Sequence, residues 1–155
     1  MNGSGARYDD VRLGTTFSAT LTVTETHLVL GAGLIGDFNP HHVNESYARN
    51  GRFGGRILHG MLTAAVMGAP LGTYFHGTAI ALVEHNVRFV APVRPGDTLT
   101  TTWTIVAKDD KPKHAGGIVS LMAECRNQDD VVVAIANSKM LAGNSHEGPG
   151  GGGGP

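Results

Sequence analysis

Asp37 and His42 lie five positions apart across a turn, close enough for both side chains to reach one water molecule. An ionised carboxylate can accept a proton from that water, while an imidazole, with a reference pKa of roughly 6.5, can donate or accept another. The two residues are therefore a candidate acid/base pair. Spacing alone leaves a second interpretation open, in which Asp37 only closes the turn through a side-chain hydrogen bond and His41 and His42 are ordinary surface residues.

The turn that carries this pair lies in a helix and loop region that follows a predicted strand along the chain. Residues 16–24 alternate between apolar side chains and Thr or Ser, which predicts a half-buried strand. The alternation is lost over residues 27–74, where Gly, Ala, Leu and Met accumulate. Asn39-Pro40 should end any helix that precedes it, because proline disfavours the helical conformation in the residue before it. We therefore expect Asp37 at a helix end or in a loop.

Two further helices are expected in the same region. A short one can begin after Asn44, a good N-cap residue, and end near Asn50. Residues 60–69 are apolar on nearly every face, which indicates a helix wrapped by other structure rather than laid on a surface. Pro70 should weaken or end that helix.

Beyond Thr78 the alternating pattern returns four times. The predicted strands span residues 80–90, 98–106, 117–125 and 131–140. A turn is expected at residues 109–112. One strand, a helical insert and four consecutive strands predict an antiparallel α+β domain. We assign residues 1–142 to this single domain, and we expect the Gly-rich residues 143–155 to be disordered because they cannot bury enough apolar surface.

Composition excludes several classes of function. Twelve Lys and Arg against 13 Asp and Glu leave a formal charge of −1, so no broad positive field would attract nucleic acid or an anionic membrane surface. Cys125 is the only cysteine, which excludes an intrachain disulfide and favours a reducing compartment. No apolar run has the length of a signal peptide or a membrane span. We expect a soluble, cytoplasmic protein.

Three segments resemble the signature of the MaoC-like hydratases, a family that includes the R-specific enoyl-CoA hydratases. They are GDFNPHHVNESYA from Gly36, RFGGRILHGMLT from Arg52 and VRFVAPVRPGDTL from Val87. The first two are specific motifs, in the expected order and near the expected separation. The likeness extends over about residues 16–141. Of the two neighbouring histidines, the motif selects His42.

The resemblance implies a hot-dog fold, an antiparallel sheet wrapped around the central apolar helix, with an overhanging helical segment that carries the motif. It also implies that Asp37 and His42 hold the water that is added across the double bond of a 2-enoyl thioester. The Gly60 N–H would face the thioester carbonyl, because the first amides of a helix have no partner inside the helix. Asn39 and His59 would be supporting residues that hold the loop or contact the substrate.

The same resemblance sets expectations for partners. The substrate would be an acyl-CoA or an acyl-carrier-protein thioester, used without a separate cofactor. The chain would form a homodimer, or a higher oligomer, because a lone protomer exposes a sheet edge. Some R-specific hydratases carry a serine in the acyl pocket where this chain has Gly68, and that difference leaves open a branched, bulky or polar acyl group.

Three alternatives remain at this point. Asp37, His41, His42 and His59 suggest a metal site, but no pair has the i, i+4 spacing of helical ligands, and we expect no metal. A hot-dog thioesterase usually carries its carboxylate on the central helix, where residues 60–70 hold no acid. A non-catalytic acyl-thioester-binding domain would have no need of the Asp37 and His42 pair.

Overall fold

The computed structural model describes residues 5–145. It has a five-stranded antiparallel sheet, four α-helices, three of them before the long central one, and two short 3-10 helices at Tyr8–Asp10 and Pro112–His114. The strands are β1 Thr16–Thr22, β2 Ala79–Phe89, β3 Thr98–Lys111, β4 Gly116–Arg126 and β5 Val132–Gly143. The helices are α1 Glu25–Ile35, α2 Pro40–Val43, α3 Glu45–Arg49 and α4 Gly60–Tyr74. The strand order is β1-β3-β4-β5-β2, so β1 and β2 form the two edges.

The sheet packs on α4, as the hot-dog expectation requires. Trp103 of β3 is fully buried, and its indole N–H donates to the Met67 carbonyl of α4 at 2.8 Å. On β2, the His85 ring donates from Nε2 to the Ala64 carbonyl at 2.9 Å. Two strands thus bond directly to the middle of the central helix. This confirms the predicted α+β hot-dog architecture.

The overhanging segment is formed by α1, α2 and α3. Helix α1 touches α4 at Gly31, where a β-carbon would lie 2.0 Å from the Leu62 side chain. A larger residue at position 31 would therefore require the Leu62 side chain to move. Helix α3 begins after Asn44, whose side chain accepts a hydrogen bond from the Tyr47 N–H at 3.0 Å, as the N-cap prediction required.

Two predicted boundaries were wrong. Helix α4 does not end at Pro70 but continues to Tyr74; proline removes one backbone hydrogen bond there, and the Pro70 ring is buried. The turn expected at residues 109–112 begins later, since β3 pairs with β4 as far as Lys111. The chain reverses at Ala115, whose φ of 45° lies in the left-handed region.

The predicted end of the domain falls close to the end of β5. Gly143, assigned to the tail, is the last residue of β5, and its N–H donates to the Thr78 carbonyl at 2.9 Å. Residues 146–155, the remainder of the predicted disordered tail, lie outside the described residues. Between residues 5 and 145, no helix has the length and apolar character needed to cross a membrane.

Candidate active site

Asp37 lies directly after the end of α1. The chain leaves the helix at Gly36, whose φ of 73° is the left-handed conformation that glycine adopts most easily at a helix C-terminus. The Asp37 Oδ1 atom then accepts the Asn39 N–H at 3.0 Å, and the Asn39 side chain accepts the His41 N–H at 3.2 Å. These two local bonds start α2, with Pro40 at its first position. The short helix places His42 beside Asp37.

The His42 ring is held in one orientation by the backbone. Its Nδ1 atom lies 2.7 Å from the Ile57 carbonyl, which can only accept, so Nδ1 carries the proton. The Nε2 atom is then an acceptor in the neutral ring and lies 3.7 Å from Asp37 Oδ2. That distance is too long for a direct hydrogen bond but suits two groups that share one water molecule. The His42 side chain is 12% exposed and that of Asp37 49%.

The two carboxylate oxygens of Asp37 make different contacts. Oδ1 closes the turn, and Oδ2 faces the Nε2 atom of His42. The neighbouring His41 ring lies edge-on to Tyr47 and Phe53, with centroid distances of 5.3 and 5.6 Å. Of the two neighbouring histidines, it is therefore His42 that faces Asp37, the same one that the motif selects.

His59 connects this loop to α4. It is the N-cap residue of α4 and is 1% exposed. Its Nε2–H donates to the Asp37 backbone carbonyl at 2.9 Å, and its ring stacks on that of His42 at a centroid distance of 3.8 Å. Its Nδ1 atom is buried without a hydrogen-bond partner among the described residues. His59 therefore fixes both members of the pair relative to the start of the central helix.

Gly60 is the first residue of α4. Among residues 5–145 the N–H groups of Gly60 and Met61 make no hydrogen bond, while those of Leu62 and Thr63 donate to the His59 carbonyl. A β-carbon at Gly60 would lie 3.1 Å from the ring of Phe89, so glycine allows close packing here. The free amide is at the positive end of the helix dipole, where it can stabilise a developing negative charge.

A cavity of about 490 Å³ and a second of about 310 Å³ flank this helix start. The smaller one brings together His42, Gly60, Thr63, Phe53 and Phe89. We call it the reaction cavity. The Arg94 guanidinium, which donates to the Phe53 carbonyl, ties together two segments of its wall. His42, one member of the pair, and Gly60 thus lie on the wall of a mostly apolar cavity, which is a feature expected of a small-molecule site.

Asp37, His42 and His59 also place one potential metal ligand each within 4.8 Å of one another. These distances would suit a bound metal ion. The His42 and His59 rings, however, are stacked with an angle of 27° between their planes, so the lone pairs of their nitrogens do not point at one common position. A shared ion in the plane of both rings would require one ring to rotate. The prediction that no metal is used stays a prediction.

The fold and the site define a class: hot-dog proteins that carry an Asp and a His side by side on an overhanging segment near the start of the central helix. A profile of the MaoC-like domain family matches residues 11–124. The chain belongs to this family, as its motifs indicated.

Relatives and solved structures agree with that assignment. An (R)-specific enoyl-CoA hydratase of Rhodospirillum rubrum is 44% identical over 98 residues, which are 63% of this chain and 68% of the relative. A 3-hydroxybutyryl-CoA dehydratase of Methylorubrum extorquens is 30% identical over 126 residues, 81% of this chain and 78% of the relative. The structure of the R-hydratase PhaJ1 of Pseudomonas aeruginosa superposes with a TM-score of 0.78 at 28% identity, covering 90% of this chain and 86% of that one.

Proposed function

We propose that the protein is a hydro-lyase that reversibly adds water across the double bond of a 2-enoyl-CoA, with the R-specific stereochemistry of its relatives. The observation that carries this proposal is the closeness of Asp37 and His42, together with the place of His42 and Gly60, whose amide is free, on the wall of one cavity. A hydratase needs both parts, because water must be activated at C3 while negative charge builds up on the thioester oxygen. The names of the hydratase and dehydratase relatives support the same reaction.

In the proposed mechanism, the water lies between Asp37 Oδ2 and His42 Nε2. Both atoms accept hydrogen bonds, so they orient the two hydrogens of the water and leave an oxygen lone pair directed at C3. As the C3–O bond forms, the pair takes one proton from the water, and a proton from the pair is delivered to C2. Dehydration is the reverse, and the enzyme ends each turnover in its starting protonation state.

Gly60 and the supporting residues complete this proposal. The Gly60 N–H would donate to the thioester oxygen, whose negative charge grows as water attacks C3. Asn39 would hold the turn that aims Asp37, and His59 would hold the pair against α4 through its bond to the Asp37 carbonyl and its stacking on His42. The thioester handle would be CoA, with an acyl-carrier protein as the other substrate form to be assayed.

One assay separates this function from the alternatives. The purified protein is given 2-enoyl-CoA, and the loss of enoyl-thioester absorbance is recorded together with the release of free thiol. Loss of absorbance without thiol supports a hydratase, whereas thiol release indicates a thioesterase. No change in either signal, with binding of the acyl-CoA, would identify a non-catalytic domain and contradict the proposal. Chiral analysis of the 3-hydroxyacyl product tests the R configuration.

We also propose that the reaction uses no metal and no other cofactor. The acid/base pair and the Gly60 amide supply proton transfer and charge stabilisation without one. Dialysis against EDTA should therefore leave kcat/KM unchanged within about twofold, and added Zn²⁺ or Mg²⁺ should not raise it. A loss of activity on chelation that is restored by one metal ion would contradict this part of the proposal.

The proposed assembly is a homodimer formed through the outer edge of β2. This edge pairs with no strand among the described residues and exposes Ile80, Leu82 and Val83. An exposed apolar edge strand is a ready template for a second copy. Val83→Lys should therefore weaken dimerisation by more than tenfold, measured by analytical ultracentrifugation over a concentration series. Met122→Lys is the matched control, because Met122 of β4 is about as exposed as Val83. This substitution should leave dimerisation unchanged.

A monomeric wild-type chain at micromolar concentration would contradict the dimer directly. Equal weakening by Val83→Lys and Met122→Lys would contradict the use of the β2 edge.

The cytoplasmic location expected from the lone Cys125 stays a prediction.

A further inference from the structure

Arg56 is a charged side chain that the reaction as described so far does not use. It lies on the link between α3 and α4, and its side chain is 18% exposed. Its Nη2 atom lies 2.6 Å from Oε2 of Glu25, and its Nε atom donates to Oε2 of Glu45 at 3.0 Å. These two acids are the first residues of α1 and α3. One guanidinium therefore joins three segments of the overhanging region, and we call the three side chains the ionic clamp.

The link depends on side-chain contacts because its backbone makes few hydrogen bonds of its own. Two of the five residues 52–56 are glycine, and Gly54 has a φ of 66°. Within the described part of the chain, the Gly54 amide is the only one of these five that donates to a backbone carbonyl. Two arginines supply further contacts, since Arg94 donates to the Phe53 carbonyl and Arg56 forms the clamp. The path of the link is thus set largely by its side chains.

The link carries the carbonyl that holds the His42 ring. Ile57 directly follows Arg56, its N–H donates to the His41 carbonyl at 3.1 Å, and its carbonyl accepts from His42 Nδ1 at 2.7 Å. With the proton on Nδ1, Nε2 is free to accept a hydrogen from the water shared with Asp37. A neutral imidazole without a fixed acceptor at Nδ1 also populates the tautomer that is protonated on Nε2, which would donate instead. The position of one carbonyl therefore decides what His42 can do.

The clamp and the His42 hydrogen bond connect the same two segments. Glu45 lies three residues after His42, and Arg56 lies one residue before Ile57. The bond from His42 to the Ile57 carbonyl and the bond from Arg56 to Glu45 are thus two neighbouring ties between the overhanging helices and the link. Loss of the ionic tie would leave the distance between ring and carbonyl less well defined.

The second carboxylate of the clamp ties the same link to α1. Glu25 begins this helix and Asp37 follows its end, roughly 16 Å away at about 1.5 Å per residue. A change of tilt at Glu25 would therefore displace Asp37 relative to His42. The hydrogen bond from Arg56 holds the pKa of the Glu45 carboxyl below its usual value. The clamp thus stays charged through the neutral pH range.

We propose that Arg56 is a positioning residue for the hydration reaction, an inference that rests on the proposed function. Its bonds to Glu25 and Glu45 hold the link against α1 and α3. The Ile57 carbonyl on that link then keeps the proton of His42 on Nδ1. Two nitrogens of the guanidinium already face carboxylates, so Arg56 is not placed to bind a phosphate of CoA.

The first test is Arg56→Met, which keeps much of the length of the side chain and removes its charge. Glu25 and Glu45 are 59% and 46% exposed, so water can solvate both carboxylates and no buried charge is left unpaired. We expect kcat to fall by about tenfold to a hundredfold, because small displacements of an acid/base group are costly, while KM stays within about threefold. The Leu58 N–H also holds the peptide group of the Ile57 carbonyl, through the Val93 carbonyl at 2.7 Å. The loss should therefore be smaller than the loss caused by substitution of His42.

Arg49→Met is the matched control. Arg49 contacts the other oxygen of Glu45 at 3.3 Å, but its side chain is 73% exposed and it does not touch the link. Such an exposed pair contributes little, so kcat and KM should both stay within about twofold of wild type. A raised KM with unchanged kcat in Arg56→Met would place this arginine against the CoA handle and overturn the proposal. Equal losses in the Arg49 and Arg56 variants would overturn it as well.

Two further variants test whether the residues of the clamp act together. Arg56→Lys can pair with one carboxylate but lacks the planar fork, so its kcat should lie between those of wild type and Arg56→Met. Adding Glu45→Gln to Arg56→Met should slow the enzyme by no more than about twofold further, because the contact is already lost. Fully multiplicative losses would overturn the proposal. If Arg56→Met does not fold, the single variants Arg56→Lys and Glu45→Gln are compared with Arg49→Met in its place.

The tautomer of His42 gives a readout that does not require activity. The protein is labelled with ¹⁵N-histidine, its spectrum is recorded at about pH 8, above the reference pKa of imidazole, and the His42 signals are assigned by their loss in His42→Asn. Wild type and Arg49→Met should show a proton fixed on Nδ1, and Arg56→Met should show a mixture of the two tautomers. The melting temperature of Arg56→Met should stay within about 5 °C of wild type.

The spectra also separate a failure of this inference from a failure of the proposed function. If the wild-type chain hydrates no enoyl-CoA, the function fails, and the tautomer of His42 still tests the clamp. A proton that stays fixed on Nδ1 in Arg56→Met overturns the proposal, whatever the rates. A mixture of tautomers in Arg56→Met but not in Arg49→Met supports it.

Discussion

Asp37→Asn and His42→Asn should each reduce kcat/KM for the hydration of 2-enoyl-CoA by on the order of a hundredfold or more. The two substitutions are chosen to keep the local structure. Asn at position 37 retains an oxygen that can accept the Asn39 N–H and close the turn, but it loses the charged oxygen that faces His42. Asn at position 42 retains an N–H for the Ile57 carbonyl and loses the acceptor that corresponds to Nε2.

The matched control for this prediction is His41→Asn. His41 lies next to His42 on the same short helix, yet its ring packs edge-on against Tyr47 and Phe53 and does not face Asp37. Its kcat/KM should stay within a few-fold of wild type. Thermal unfolding of all three variants checks that the fold is intact. Rates within a few-fold of wild type for both Asp37→Asn and His42→Asn would contradict the assignment of the pair.

The double variant gives a sharper test of whether the two residues act on one water molecule. If they form a unit, the loss of either member removes most of what the pair contributes. The double variant should then be no more than about tenfold slower than the slower single variant. Fully multiplicative losses would indicate that Asp37 and His42 act in separate steps.

The parts of this fold that were predictable from sequence are those whose signal is local. Alternation of side chains identified all five strands, but only β3, β4 and β5 alternate between buried and more exposed residues. The edge strands β1 and β2 are exposed along most of their length. The apolar run from residue 60 identified the central helix, which buries Met67 and Leu71 on one side and leaves Met61 and Ala65 exposed on another. Strand ends were less accurate, since the pairing of Lys111 with Gly116 depends on the partner strand and not on local composition.

For the site, the sequence predicted which side chains take part, because these belong to a motif, but it did not predict the backbone atoms that orient them. Asp37 and His42 were selected by their motif, and the structure brings them together with His59 and Gly60 as that motif implied. The Ile57 carbonyl, which sets the protonated nitrogen of His42, was missed because a backbone atom leaves no mark on residue type. The same holds for the Asp37 carbonyl that orients His59. The cavity of about 490 Å³ was missed because its walls come from elements far apart in the sequence.

Gly60→Pro should reduce kcat for hydration by about a hundredfold to a thousandfold, the loss usually seen when one donor to a developing oxyanion is removed. Proline deletes the N–H and is otherwise compatible with this position. It is well tolerated at the first residue of a helix, and the preceding residue, His59, has φ −56° and ψ 137°, the extended conformation that a following proline favours. The substitution therefore removes the amide while it leaves the backbone path open.

Gly60→Ala is the control that separates the amide from the added bulk. Both substitutions place a β-carbon about 3.1 Å from the Phe89 ring, so both require a small shift of that side chain, but alanine keeps the N–H. The measurement is steady-state kcat and KM for both variants, with binding of a saturated acyl-CoA to confirm that the site still forms. If the amide acts as proposed, the loss in kcat is far greater for proline than for alanine, because its hydrogen bond is strongest when charge is on the thioester oxygen. Equal losses for the two variants would instead assign the requirement for glycine to its contact with Phe89.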